Sequence, residues 1–243
     1  MRQIIYVKYN RTRSEKFQLK TAIVRENGAL SVEKTALTEA GAGHMGSFWE
    51  KYQMIREQNP RIRFLEPEFK DGGKTVCFRY LEGETLADAL ADRIHMGQIP
   101  YEELERVMAL VFPEDFSVDS GHFSIKEQTG GPFAPSQGFT EVFGPVPEGL
   151  EELGRLTAAP NVDGLFENLM ISDGHVYGID YEWVFDMEIP ARFLHYRNLL
   201  YFYRRCEASV SSAQEELFAH FGIGEEEQRL FASMEEHFQA YVH

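Results

Sequence analysis

Residues 161–183 read Asn161-Val162-Asp163-Gly164-Leu165-Phe166-Glu167-Asn168-Leu169-Met170-Ile171-Ser172-Asp173-Gly174-His175-Val176-Tyr177-Gly178-Ile179-Asp180-Tyr181-Glu182-Trp183. Two short apolar runs flank Asp173-Gly174, a dipeptide that tolerates the positive φ angles of a tight hairpin reversal. Asp163 sits in a short loop, Asn168 opens the first strand five residues later, and the returning strand delivers Asp180 beside Asn168. A carboxylate and an amide oxygen brought together are hard ligands suited to Mg²⁺. From Asp163 to Glu188 there are seven acidic residues and no Lys or Arg. Carboxylates held at the ends of buried strands need a cation or hydrogen-bond donors to offset their desolvation, so the segment predicts a charged site. Taken alone, Asp163 and Asn168 also fit a turn-capping pair without chemistry.

The first third of the chain reads as strands. Gln3 to Tyr9 is β-branched and aromatic, and Phe17 to Val24 alternates apolar with polar. Glu26-Asn27-Gly28 supplies a hairpin turn and a third strand runs from Leu30 to Leu37. A helical stretch follows over 39–58, with Met45, Phe48, Trp49, Tyr52 and Ile55 at three- and four-residue spacing, and Pro60 stops it. Two more strands, 63–69 and 74–80, flank Asp71-Gly72-Gly73. The order β-β-β-α-β-β predicts a small antiparallel sheet carrying one helix.

After Leu81-Glu82-Gly83 the pattern turns helical. Thr85 is placed to cap a helix starting at Leu86, residues 101–111 form a second helical pattern, and the tail from about Ala191 is helical again. Residues 113–147, with Gly130-Gly131-Pro132 among them, show no clear period and read as a long irregular insertion. The 243 residues carry 24 Lys+Arg against 39 Asp+Glu, a formal charge of −15, which argues against nucleic acid as a partner. No apolar run approaches the ~20 residues needed to cross a bilayer. Cys77 and Cys206 are too few for a disulfide framework, so a reducing cytoplasm is expected and Cys77 reads as a small core residue. The eight histidines lack metal-ligand spacing.

The ordered set of segments resembles the protein-kinase-like superfamily, and within it the small-molecule branch of aminoglycoside- and choline-kinase-like phosphotransferases. The resemblance spans residues 3–205. It implies a two-lobed α+β fold, with a five-stranded antiparallel N-lobe bearing one helix over 1–80, a mainly helical C-lobe over 81–243, and a hinge at 79–83. It also implies that Asp163 accepts or orients the proton of the substrate hydroxyl, and that Asn168 and Asp180 hold Mg²⁺ against the phosphates of ATP. Lys34 on the third strand stands where the superfamily places its phosphate-pairing lysine, and Glu50, sixteen residues on, would be its ion-pair partner. The Arg79 carbonyl and the Leu81 amide would meet adenine at the hinge.

Two departures bear on function. Asn10-Arg11-Thr12-Arg13-Ser14-Glu15-Lys16 joins the first two strands without a glycine, so the backbone cannot approach phosphates closely, and Arg11, Arg13 and Lys16 offer side-chain charge instead. The histidine the superfamily keeps two residues before the catalytic Asp is Asn161 here. The stretch Ile179 to Pro190 resembles kinase-like domains that accompany glycosyltransferases and methyltransferases of bacterial surface-glycan synthesis. The function implied is ATP- and Mg²⁺-dependent phosphoryl transfer to a hydroxyl of a small molecule, sugar or glycan. The alternative is a catalytically inactive, pseudokinase-type binding or scaffold module whose partner is a glycosyltransferase or methyltransferase.

Overall fold

The computed structural model describes residues 1–127, 133–147 and 153–243. Strands β1 (Arg2–Asn10), β2 (Leu19–Glu26) and β3 (Ala29–Ala36) form a meander. Asn27 and Gly28 take positive φ (51° and 88°) to reverse the chain between β2 and β3. Two short helices follow, α1 (Ala42–Gly46) and α2 (Phe48–Ile55), where periodicity predicts one longer helix over 39–58. Glycines at 41, 43 and 46 weaken helix propensity and account for the shortening and the break at Ser47. The strand expected over 63–69 is likewise split, into β4 (Ile62–Phe64) and β5 (Glu68–Lys70), because Pro67 between them has no N–H to donate. With β6 (Thr75–Arg79), the sheet order is β1-β2-β3-β6-β5, all antiparallel, so the five-stranded count holds.

The remaining elements are β7 (Glu84–Thr85), α3 (Leu86–Ala91), α4 (Tyr101–Val111), β8 (Phe116–Asp119), β9 (His122–Ile125), α5 (Gln137–Phe143), β10 (Leu156–Thr157), β11 (Leu169–Ser172), β12 (His175–Gly178), β13 (Ile189–Pro190), α6 (Ala191–Cys206), α7 (Gln214–His220) and α8 (Glu225–Val242). Thr85 caps α3 as its sequence suggests, accepting the Asp88 N–H at 3.0 Å. The stretch 113–147 is more regular than its composition implies. Ser120-Gly121 closes the β8–β9 hairpin, and Ser136 caps α5 by accepting the Phe139 N–H at 3.1 Å. Gly130-Gly131-Pro132 lies outside the described residues. β4 leaves the first sheet and pairs in parallel with β12, giving a second sheet of order β4-β12-β11-β7. Gly83 lets the chain enter it: a Cβ there would lie 2.0 Å from the Ile171 carbonyl oxygen.

Apolar side chains gather in two clusters. One, beneath the five-stranded sheet, includes Leu19, Phe48, Val76, Phe78 and Tyr181; the larger runs through α3 to α8 and includes Phe139, Phe143, Phe193 and Phe231. Tyr181 is wholly buried against the Phe48 and Phe78 rings, and its hydroxyl donates to the Leu65 carbonyl at 2.7 Å, the partner a phenol needs once removed from water. That peg fixes the residues on either side of it.

The larger cluster packs around a buried ionic group between α4, α6 and β8. Asp115, between α4 and β8, accepts two bonds from Arg155 (2.8 and 2.6 Å) and faces His195 Nε2 on α6 at 3.0 Å. Burial works against its charge, but the Arg155 bonds and His195 outweigh it and hold the carboxyl well below the usual range. Burial also lowers the His195 imidazole, despite Asp115. Both shifts act in the same direction: unfolded histidine takes up protons near pH 6.5 and unfolded aspartate near pH 4, each before its folded counterpart. Stability is therefore full above about pH 6.5 and falls on acidification, first through His195 and then through Asp115. Asp115→Ala should cost about 3 kcal/mol in urea unfolding at pH 7.5 and flatten the loss of stability below pH 4.

Candidate active site

The β11–β12 hairpin fixes the first part of the site. Asp173 and Gly174 turn with φ of 48° and 73°, and the register Ser172↔His175 to Leu169↔Gly178 runs without a slip. One further bond, Ile179 N–H to the Asn168 carbonyl at 3.0 Å, carries the pairing past the strand ends. Asn168 and Asp180 therefore leave the sheet together. The Asn168 amide nitrogen donates to the Asp163 carbonyl at 3.0 Å, which leaves its amide oxygen without a partner among the described residues. Asp163 is held from two sides: its N–H donates to Asn161 Oδ1 (3.1 Å) and its Oδ2 accepts the Trp183 N–H (3.0 Å). The loop around Asp163 is thus tied to the segment that carries Asp180.

Lys34 on β3 is buried and donates to Asp180 Oδ2 at 2.5 Å and to Glu182 Oε2 at 3.3 Å. Burial opposes its charge, but the Asp180 and Glu182 carboxylates outweigh that and hold the ammonium well above its ordinary range. Glu182 is shared further. Its Oε1 accepts Arg13 Nη1 at 2.5 Å and faces His44 Nε2 at 3.1 Å, while its carbonyl accepts Lys51 Nζ at 2.7 Å. Despite complete burial, Lys34, Arg13 and His44 keep Glu182 well below the usual carboxylate range. Asp163 has no such set of partners: burial first, then the charges of Asp180 and Glu182, push it up to about 7.

Glu50 is not brought to Lys34. α2 buries Phe48, Lys51 and Ile55, so position 51 faces the site and Glu50 is exposed, with no ion pair among the described residues. Lys51 is buried there and, chiefly through that burial, lowered to about 8. Glu182 provides the carboxylate for Lys34 that the helix was expected to supply. Arg79 and Leu81 sit at the end of β6, away from these charges. The Arg79 guanidinium lies over the Tyr177 ring, 5.0 Å from its centroid, and the Leu81 N–H has no partner among the described residues.

Lys34, Asp163, Asn168 and Asp180 line one cavity of about 360 Å³. The glycine-free turn after β1 closes one side of it. Ser14 N–H donates to the Val242 carbonyl at 2.8 Å, and Lys16 lies over the Tyr241 ring, 4.5 Å from its centroid, which pins the turn to α8 and aims Arg13 at Glu182. α6 and α8 form another side with Arg197, Tyr201 and Gln239, residues that no local motif singles out. Their signal in the sequence is one charge within an apolar helical run, Phe193-Leu194-His195-Tyr196-Arg197-Asn198-Leu199-Leu200. A second cavity of about 390 Å³ lies behind the Asp163 loop between β4, α4 and β10; its walls are mostly apolar, and none of the four residues reaches it.

No family model matches the chain, and no curated protein matches it. Solved structures do. The choline kinase LicA from Streptococcus pneumoniae is 13% identical over 98% of this chain and 84% of that chain, with a TM-score of 0.51. A thermostable mutant of the aminoglycoside phosphotransferase APH(4)-Ia, in its apo form, is 14% identical over 98% of this chain and 87% of that chain, also at a TM-score of 0.51. Both span nearly the whole chain. The chain therefore has the protein-kinase-like α+β fold, in the form that small-molecule phosphotransferases take.

Proposed function

We propose that this chain transfers the terminal phosphate of ATP, with Mg²⁺, to a hydroxyl of a small molecule, sugar or glycan. One observation carries the reading: Lys34, Asp163, Asn168 and Asp180, drawn from a β3 strand and a distant hairpin, meet in one cavity of a kinase-like fold. Such chemistry rests on positioning and charge neutralisation, which these residue types can provide. Asp163 orients the acceptor hydroxyl and takes its proton. Lys34 balances the phosphates, and Glu182 rather than Glu50 steadies Lys34. The free Asn168 oxygen and the Asp180 carboxylate are hard donors that fit Mg²⁺, which commonly fills its other positions with phosphate oxygens and water. When bound, Mg²⁺ would neutralise phosphate charge.

The division into lobes at 79–83 belongs to the same proposal, with the unpartnered Leu81 N–H and the Arg79 carbonyl meeting adenine. A cytoplasmic setting draws support from two buried free cysteines, and among the described residues no helix is long and apolar enough to cross a membrane. A glycosyltransferase or methyltransferase partner rests on the Ile179–Pro190 resemblance alone. The inactive-module reading is favoured by one feature: Arg13 stands where glycines would admit phosphate, already bonded to Glu182.

Calorimetric titration with ATP, with and without Mg²⁺, tests the assignment. Asp180→Ala should lose Mg²⁺-dependent binding. Asp163→Asn should keep ATP affinity within about twofold yet lower turnover by about 10²- to 10⁴-fold, the usual share of a proton-accepting group. If neither change alters binding or turnover, the roles are wrong. Arg13→Ala separates the two readings: ATP affinity falling about tenfold, with adenosine affinity unchanged, marks Arg13 as a phosphate contact. A rise in ATP affinity would mark it as a plug and favour the inactive module.

A further inference from the structure

The five-stranded sheet brings to the cleft one cation that no carboxylate holds. Among the described residues four Lys and Arg side chains line the cavity, and three are committed: Arg13 to Glu182, Lys34 to Asp180 and Glu182, and Arg197 on α6 to Glu235 on α8. Lys8 on β1 is the fourth, and it has no ion pair, hydrogen bond or ring contact among the described residues. The turn after β1 offers no substitute. Arg11 lies over the Tyr9 ring, 4.9 Å from its centroid, and Lys16 lies over the Tyr241 ring.

Lys8 faces the cleft because of one irregularity in β1. Ile4 pairs with Val24 but Tyr6 pairs with Ile23, so Ile5 is an extra residue in the ladder, a β-bulge. Opposed residues share a face, and a slip of one residue turns every later side chain over. Beyond the bulge Tyr6, Lys8 and Asn10 therefore join Thr21 and Lys34 on the cavity side; in unbroken register they would point to the other face of the sheet. Bulges re-aim side chains in this way beside functional sites. Lys8, Thr21 and Lys34 then form a single rung across β1, β2 and β3. At the usual strand spacing the two lysine backbones lie about 10 Å apart. Between them the Thr21 hydroxyl makes no hydrogen bond among the described residues. The next rung, Tyr6, Ile23, Val32 and Phe78, is apolar and aromatic. A polar rung with an ammonium group at each end, beside an apolar rung, suits a ligand with a flat apolar body and a polyanionic chain.

We propose that Lys8 is a phosphate-binding residue of the nucleotide site, and that the Lys8–Thr21–Lys34 rung holds the phosphate chain by side chains where the glycine-free turn cannot do so by backbone. The proposal rests on the cleft being a phosphotransferase site. A triphosphate entering the cavity meets acidic side chains at Glu167, Asp180 and Glu182. Arg13 or Arg197 could turn to phosphate only by abandoning a buried carboxylate, which is costly. Lys8 gives up nothing: its ammonium donates to phosphate oxygens while every existing ion pair in the cleft stays intact.

The test is titration of the full chain with ATP by calorimetry and with adenosine by saturation-transfer NMR, both with Mg²⁺ present, at low and at high salt. Lys8 is exposed, so its variants keep the packing of the sheet, and thermal unfolding checks that they do. Lys8→Met should weaken ATP at least tenfold while leaving adenosine within twofold, the signature of a lost phosphate contact. Lys8→Arg, which restores the charge, should bind ATP within about threefold of wild type. Added salt should weaken ATP binding more steeply in the wild-type chain than in Lys8→Met. Equal loss of ATP and adenosine in Lys8→Met would show a role in shape alone and overturn the proposal. ATP affinity within twofold in Lys8→Met, while Asp180→Ala still loses Mg²⁺-dependent binding, rejects Lys8 and keeps the phosphotransferase reading. A wild-type chain that binds no ATP under any of these conditions rejects that reading, and the role of Lys8 with it.

Discussion

The buried carboxylate of Glu182 is the constraint on which the site depends. An isolated carboxylate at that depth would be protonated or would unfold its surroundings, so the fold must deliver cations to it. It delivers Arg13 from the turn after β1 and Lys34 from β3, and adds the His44 imidazole from α1, a hydrogen-bond partner whose charge burial disfavours. Lys51 on α2 binds the same residue's carbonyl. The five-stranded sheet, both short helices and the segment after β12 are thereby referred to one side chain. Removing it would leave Arg13, Lys34 and Lys51 facing each other in a dry interior, where like charges repel most strongly.

Tyr181 and the alternation around it explain why Glu182 and Asp180 share a side. In extended chain successive side chains point to opposite faces, so a wholly buried Tyr181 sends its two neighbours the other way. The phenol bonded to the Leu65 carbonyl sets the depth of both carboxylates. Glu235 repeats the principle on the opposite wall, as a buried acid holding Arg197, Tyr201 and Gln239 in place. Each wall is organised by a buried acid.

What was legible in the sequence was mostly local. Asp163, Asn168 and Asp180 lie within one hairpin and its approach, and the Asp173-Gly174 turn fixes their relation through short-range rules. Lys34 was legible through strand order. Glu50 was expected only from its place on the helix after Lys34; the break at Ser47 sets the phase of α2 so that Lys51 faces inward and Trp49 and Glu50 face out. The β8–β9 hairpin carried a signal, Ser120-Gly121, masked by the irregular composition around it. The parallel pairing of β4 with β12 and the Arg197–Glu235 pair join residues with no shared local pattern, and nothing in periodicity announces them.

The bond from Ser14 N–H to the Val242 carbonyl joins positions 228 apart. Contacts of that span form late, since loop closure must precede any reward from them. During synthesis the turn bearing Arg13 emerges early, but the helix that pins it is made last among the elements described. A ribosome-bound chain stopped after the β11–β12 hairpin would hold Asp163, Asn168 and Asp180 without a fixed roof over them. The order of synthesis thus separates the two ends of the cleft: the turn that carries Arg13 is made early, and the α8 carbonyl that accepts the Ser14 N–H is made long after it.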